Sequence, residues 1–185
     1  MDVPPRDIAD AIGGQRWVFR RTGADTGGEL LEADLFVSRG GFVREHLHPS
    51  QEETFTGVSG TFVLEVAGET RSVGPGDRIV IAPRTPHGFK DAREDAHLLV
   101  EVRPALRLDD YFRTFLGLSR DRRISMPVKG LPRPLLQVAL VMERYAPEIA
   151  APRIPLPLQR LAWRLLGAVA RRRGVPDSFP EYGAP

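Results

Sequence analysis

The chain has 185 residues and no cysteine, and its 26 basic and 24 acidic side chains leave a formal net charge of +2. This length suits one domain with an appendage, and the lack of cysteine excludes disulfides, iron–sulfur clusters and thiolate metal sites. No apolar run reaches the roughly 18 residues that a membrane-spanning helix needs, and the N-terminus lacks a signal-peptide pattern, so we expect a cytoplasmic protein.

The first hundred residues predict short strands. A short helix is expected over residues 4–12, ended by Gly13 and Gly14. After it, apolar runs between Gly, Pro and Asp turns predict strands over residues 15–21, 31–37, 61–66, 70–73, 78–82 and 97–102. Short strands at this spacing are typical of an all-β sandwich or barrel rather than of βαβ units.

Candidate metal ligands lie between these strands. His46 and His48 are two residues apart in an extended segment, so both imidazoles face the same side. Glu53 opens the next extended run and can bring a carboxylate to them, whereas Glu52 faces away. His87 follows a proline-flanked bend and completes the set. Imidazole and carboxylate ligands suit a divalent Fe, Mn, Ni, Cu or Zn ion.

The spacing of these residues resembles the first signature of the cupin superfamily. Its positions are matched at every separation by Gly40, His46, His48, Glu53 and Gly60. The second signature is matched by Gly76, Pro83 and His87, with a segment between proline and histidine that is one residue shorter than usual. Asp91 stands where asparagine is common. The matched region is about residues 30–105, and the whole chain is similar to small bacterial single-domain cupins with a helical C-terminal extension.

The resemblance implies a double-stranded β-helix jelly-roll (cupin) barrel with a small ligand in its mouth and a metal on His46, His48, Glu53 and His87. Four phenylalanines are candidates for the barrel wall or the plain core: Phe42, Phe55, Phe62 and Phe89. His97, the fourth histidine, is expected to be structural, since the metal already has four protein donors.

The chain changes character after the predicted strands. Residues 1–118 carry 14 basic and 19 acidic side chains, and residues 119–185 carry 12 and 5. We therefore expect a barrel over 1–118, with the short N-terminal helix, and a proline-rich, basic helical extension over 119–185. Helices are predicted over 108–118, 135–145 and 158–173.

The last predicted helix has an apolar stripe at steps of three and four residues: Leu158, Leu161, Ala162, Leu165, Leu166 and Val169. The favoured interpretation is that this stripe packs on the barrel or on a partner subunit in a homodimer. Association with a membrane surface is the alternative. Nucleic-acid binding by the basic tail is the least favoured interpretation, so we expect no nucleic-acid partner.

Two classes of function fit these observations. The first is a metal-dependent cupin acting on a small organic molecule, as in an oxygen-dependent, dioxygenase-like oxidoreductase or, alternatively, an isomerase or cyclase. The second is a non-catalytic small-ligand-binding or sensory cupin, since no acid, base or nucleophile beyond the ligands is recognisable. The sequence has no Ser-His-Asp order, phosphate-binding loop or dinucleotide fingerprint.

Overall fold

The computed structural model describes residues 6–10, 13–89, 94–125 and 134–182. The strands in these residues are β1 (Asp7–Asp10), β2 (Gln15–Arg21), β3 (Leu31–Val37), β4 (Val43–His46), β5 (Glu52–Ser59), β6 (Phe62–Val66), β7 (Glu69–Val73), β8 (Arg78–Ile81), β9 (His87–Phe89) and β10 (Ala96–Arg103). The helices are α1 (Leu108–Arg120), α2 (Leu135–Arg144) and α3 (Leu156–Arg172), followed by a 3-10 turn over Pro180–Tyr182. Asp91, which stands at the asparagine position of the second cupin signature, lies outside the described residues.

The strands form two antiparallel sheets. The six-stranded sheet has the order β1-β2-β3-β10-β5-β8, and the four-stranded sheet has the order β4-β9-β6-β7. Strand β10 is central, with Leu98 opposite Leu35 of β3 and Gly57 of β5. Leu98, Val100 and Val102 face the interior and are almost fully buried, within the apolar run over residues 97–102 that predicts a strand. The chain as a whole is not all-β, because three helices follow the sheets.

The predicted N-terminal helix is wrong over residues 7–10, which form strand β1. This strand pairs antiparallel with β2, with Ile8 opposite Trp17. Both of these side chains are buried in the core, and the Asp7 carboxylate pairs with the Arg16 guanidinium at 2.6 Å. A helix of nine residues is marginal by itself, so hydrogen bonding to the free edge of β2 outweighs the local helix signals.

One hydrophobic core joins the sheets to α1, α2 and the C-terminal end of the chain. Helix α1 packs beside β1 and begins with Asp109 and Asp110, which the helix dipole favours there. The buried guanidinium of Arg113 pairs with Asp109 at 2.8 Å and lies 5.0 Å from the centroid of the Phe19 ring. Pairing and stacking together compensate for burying this charge.

The segment between α2 and α3 returns to the metal motif. The backbone N–H of Leu47 donates to the Ala150 carbonyl at 3.0 Å, and the N–H of Ala150 donates to the Leu47 carbonyl at 2.9 Å. This two-residue bridge attaches the helical extension beside His48.

The apolar stripe of α3 does not pack on the sheets of its own chain. Of the two positions expected for it, on the barrel or on a partner subunit, the first is therefore wrong. Leu158, Leu161 and Leu165 are between 54 and 61% exposed. The residues of α3 that are buried instead are Gln159, Gly167 and Ala170. The Glu143 carboxylate of α2 occupies the space that a Cβ at Gly167 would take, so a larger residue there would have to displace that side chain.

Among the described residues, no helix combines the length and the apolarity needed to cross a membrane.

Candidate metal centre

The four predicted ligands come from both sheets and meet between them. His46 ends β4 and lies opposite His87 of β9 in the four-stranded sheet. Glu53 lies on β5 of the six-stranded sheet, and His48 follows β4 after one residue. Strand alternation turns Glu53 inward, where it is 3% exposed, and leaves Glu52 exposed, as predicted.

The ligating atoms of these side chains are close together. One nitrogen from each of the three histidines and one carboxylate oxygen of Glu53 all lie within 4.8 Å of one another. The Oε2 atom of Glu53 is 2.9 Å from Nε2 of His87 and 3.4 Å from Nε2 of His48. His46 is the partly exposed member of the cluster, so the cluster opens on its side.

Backbone carbonyls orient all three imidazole rings. The Nδ1 atom of His46 lies 2.9 Å from the Arg44 carbonyl oxygen, and that of His87 lies 2.9 Å from the Thr85 carbonyl oxygen. The Nδ1 atom of His48 lies 2.6 Å from the Glu148 carbonyl oxygen. A carbonyl oxygen only accepts, so each Nδ1 carries the proton and each Nε2 keeps a lone pair directed into the cluster.

The burial of these lone pairs is the strongest local sign of a ligand. Nε2 of His48, Nε2 of His87 and Oε2 of Glu53 are buried without a hydrogen-bond partner, because the 2.9 Å approach of His87 to Glu53 lacks hydrogen-bond geometry. Each unsatisfied buried polar atom costs about 1–3 kcal/mol. Nitrogen and oxygen donors directed at one point fit a divalent cation that would satisfy all of them.

The charges of the cluster are tuned by the same contacts. Burial, together with the neighbouring His87 and His48, lowers the pKa of His46 well below its usual value, which keeps this imidazole neutral. Burial alone would raise the pKa of Glu53, but contacts from His48 and His87 outweigh it and lower that pKa. Burial would lower the pKa of His87, and the Glu53 carboxylate raises it overall. The ionised Glu53 carboxylate and the neutral His46 imidazole are the forms that bind a metal ion, and His87 would give up any extra proton on binding.

The remaining predicted side chains lie outside the cluster. Phe55, Phe62 and Phe89 are buried in the core, with the Phe62 and Phe89 rings edge to face at 4.5 Å, and Phe42 is half-buried. The structural role expected for His97 is confirmed, since its Nε2 lies 2.6 Å from the Asp34 carboxylate and its ring stacks on Phe36.

Comparison with known families agrees with this arrangement. Residues 36–102, which include all four clustered side chains, match the family described as Cupin domain. This stretch is a cupin domain. No curated protein matches the chain.

Solved structures similar to this cupin domain carry several different names. KdgF from Halomonas sp. is 24% identical, with a TM-score of 0.47 over 53% of this chain and 86% of that one. A sugar phosphate isomerase of the cupin superfamily from Silicibacter pomeroyi is 21% identical, with a TM-score of 0.42 over 49% and 59%. DMSP lyase DddQ from Ruegeria pomeroyi is 25% identical, with a TM-score of 0.38 over 41% and 39%.

The sequence did not indicate a role for Glu148. This residue lies in the helical extension, and its backbone carbonyl orients the imidazole ring of His48 in the cupin domain. Its carbonyl contacts His48 across 100 positions of the chain. Its carboxyl is buried, burial raises its pKa, and its Oε2 atom has no hydrogen-bond partner among the described residues. No local pattern around Glu148 indicates this contact, because it depends on how the segment after α2 folds back on Leu47.

Proposed function

We propose that this protein is a metal-dependent cupin that acts on a small organic molecule as an oxygen-dependent, dioxygenase-like oxidoreductase. The observation that supports the metal is the set of buried, unpartnered donor atoms of His48, Glu53 and His87, directed at one point with their rings already oriented. Fe, Mn, Ni, Cu and Zn all suit such donors.

The roles of the protein groups follow from the geometry. His46, His48 and His87 would bind the ion through Nε2 and Glu53 through its carboxylate, while the carbonyls of Arg44, Glu148 and Thr85 keep the rings in place. The bound ion supplies Lewis-acid or redox chemistry to an oxygen-bearing ligand or to dioxygen. His46 faces the open side, so the small molecule enters past this residue, and the buried side of the cluster excludes water.

One observation favours a second candidate, a non-catalytic small-ligand-binding or sensory cupin. Among the described residues, no further His, Asp or Glu joins the cluster, so a separate general acid or base is missing from it. An isomerase or cyclase needs such a group more than an oxidoreductase does, because it moves protons rather than electrons.

The test begins with the metal. Protein purified without added metal is analysed for its elements, stripped, and reloaded under anaerobic conditions with Fe, Mn, Ni, Cu or Zn in turn. Oxygen uptake is then measured with small molecules that carry two adjacent oxygen donors. Uptake that needs both the metal and an organic molecule supports the proposal.

Three results contradict it. Failure to retain any of the five metals stoichiometrically would remove the metal centre. Retained metal with a bound, unconverted small molecule and no oxygen uptake would favour the binding module. Release of an isomer without oxygen uptake would favour the isomerase alternative.

We further propose the organisation and location of the chain. The two sheets form a jelly-roll barrel within residues 1–118, residues 119–185 form the helical extension, and the protein works in the cytoplasm without a nucleic-acid partner. We propose a homodimer that pairs through the edge of the six-stranded sheet, where the apolar side chains of Val58 and Val80 are about half exposed. Light scattering on the wild type and on Val80→Lys tests this, with a monomeric wild type as the contrary result.

A further inference from the structure

The outward face of α3 is a continuous apolar surface. It consists of Ile154, Leu158, Leu161, Ala162, Leu165 and Val169, all of which are exposed. Leu158, Leu161, Leu165 and Val169 recur at helical steps and therefore lie on one side. We call these six residues the α3 outer face.

The orientation of α3 is held by its opposite side. Gln159 donates from Nε2 to the carbonyls of Ala151 at 2.8 Å and Ile154 at 2.7 Å, and accepts from the Ala151 N–H at 2.9 Å. The buried Gly167 admits the Glu143 carboxylate, which also binds Arg171 at 3.0 Å. Rotating the helix to turn the α3 outer face inward would break these contacts. The contacts on the buried side therefore keep the outer face exposed.

The segment that carries this face is rich in arginine and has no acidic residue of its own. Residues 149–176 contain six arginines and no aspartate or glutamate. Arg160 and Arg164, four residues apart, form a row between the outer face and the buried side of the helix, and Arg172 and Arg173 follow at its end. All four are exposed and, within the described residues, make no ion pair.

We propose that the α3 outer face binds the surface of an anionic lipid bilayer. The aliphatic side chains would enter the boundary between head groups and acyl chains, to a depth of about 5–10 Å, with the helix parallel to the surface. The arginine row would lie level with the lipid phosphates, where guanidinium groups bind bidentately. This places the protein on a membrane, whatever molecule its metal centre acts on.

Charge favours this partner over a second copy of the chain. A two-fold contact through the α3 outer face would bring Arg160 and Arg164 of both copies to one seam, and no acidic side chain of residues 149–176 is available to pair with them. Like charges at the rim of an interface oppose association. A contact with the acidic sheets of another copy would be heterologous, and such contacts build rings or filaments rather than a closed pair.

The experiment is flotation of the full chain with vesicles of phosphatidylcholine alone or of an equal mixture with phosphatidylglycerol. We expect binding only to the anionic vesicles, weakened by added salt. Leu161→Gln/Leu165→Gln should reduce the affinity at least about tenfold, because two aliphatic side chains that would enter the bilayer are lost. Arg160→Gln/Arg164→Gln should reduce it about fivefold for each arginine.

Matched controls come from other surfaces of the molecule. Leu106→Gln changes an exposed apolar side chain outside both the α3 outer face and the proposed dimer edge, and Arg21→Gln/Arg39→Gln removes two exposed charges. Both should bind anionic vesicles as the wild type does. All substituted side chains are exposed, and circular dichroism checks that each variant is folded.

Three outcomes would overturn the proposal. The first is a wild type that does not float with anionic vesicles. The second is equal binding to neutral vesicles or equal losses in the control variants, which would indicate nonspecific adsorption. The third is a wild-type dimer that fails to float and that Leu161→Gln/Leu165→Gln converts to a monomer, which would assign the α3 outer face to a second copy.

Discussion

Strand β10 and helix α3 carry similar rows of large aliphatic side chains, and the fold treats them in opposite ways. Leu98, Val100 and Val102 of β10 are almost fully buried, whereas Leu161 and Leu165 of α3 are more than half exposed. In β10, pairing with a strand on each side leaves only the two sheet faces for the side chains. In α3, the hydrogen bonds of Gln159 and the packing of the Glu143 carboxylate on Gly167 hold the opposite side of the helix inward. Apolarity alone therefore does not decide what a fold buries.

The largest expected effect tests the contrast between the buried row of β10 and the exposed row of α3. Leu98→Ala should lower the free energy of unfolding by about 2–5 kcal/mol, because it leaves a cavity in the core. Leu165→Ala should change it by less than about 0.5 kcal/mol, because the side chain is exposed. Urea unfolding of both variants measures the difference. Similar losses would mean that the stripe of α3 is buried in solution.

The second comparison is between two adjacent carboxylates. Glu53→Gln should weaken metal binding at least about a hundredfold, because it removes the only anionic donor of the cluster. Glu52→Gln, one residue away and facing outward, should leave it unchanged. Titration of the stripped protein with Zn or Mn measures both affinities. Equal losses would show that strand β5 presents the opposite face to the cluster.

A third prediction concerns the outer side of the six-stranded sheet. The Asp34 carboxylate accepts from the Arg20 guanidinium at 2.6 and 2.7 Å and contacts His97. Burial opposes ionisation, but these partners outweigh it and lower the pKa of Asp34 below 3.8, its value in an unfolded chain. Asp34→Asn should cost about 1.5–3 kcal/mol at neutral pH.

The pH dependence has a definite sign. A carboxyl whose pKa is lowered by folding stabilises the native state above its unfolded pKa, and this contribution is lost as the pH falls through the folded pKa. The wild type should therefore lose its advantage over Asp34→Asn below about pH 4. Unfolding curves of both proteins at several pH values measure the difference in their free energies of unfolding. At pH 2 the Asp34 carboxyl should be protonated and as neutral as the amide of the variant. A difference that stays constant down to pH 2 would therefore contradict the ion pair.

The smallest expected effect lies at the link between the two regions. Ala150→Pro removes the N–H that donates to the Leu47 carbonyl. Because this bond holds the segment that contains Glu148 beside the metal motif, we expect the contact between the Glu148 carbonyl and His48 to weaken. Metal affinity should fall about tenfold, as for other contacts that orient a ligating histidine. Ala150→Gly keeps the N–H and serves as the control. The NMR signal of the His48 Nδ1 proton reports the contact itself, and an unchanged signal in a folded Ala150→Pro variant would show that the bridge does not orient the ring.

The sequence by itself determined most of the strands, the cupin motif and the side on which each candidate ligand lies. Alternation along a strand is a local rule, so it separates Glu53 from Glu52 and aligns His46 with His48 without knowledge of the fold. The strand β10 also follows from a local signal, the apolar run over residues 97–102. The three helices also follow from local patterns, since each begins and ends within two residues of its predicted boundaries.

Only the tertiary structure decided where those elements are used. Residues 7–10 became a strand because β2 offers an unpaired edge. The carbonyl of Glu148 reached His48 because the segment after α2 pairs with Leu47. The stripe of α3 faces outward because Gln159 and Gly167 dock the other side of the helix. Each of these results depends on contacts that an element makes outside itself, and such contacts leave no periodicity in its own sequence.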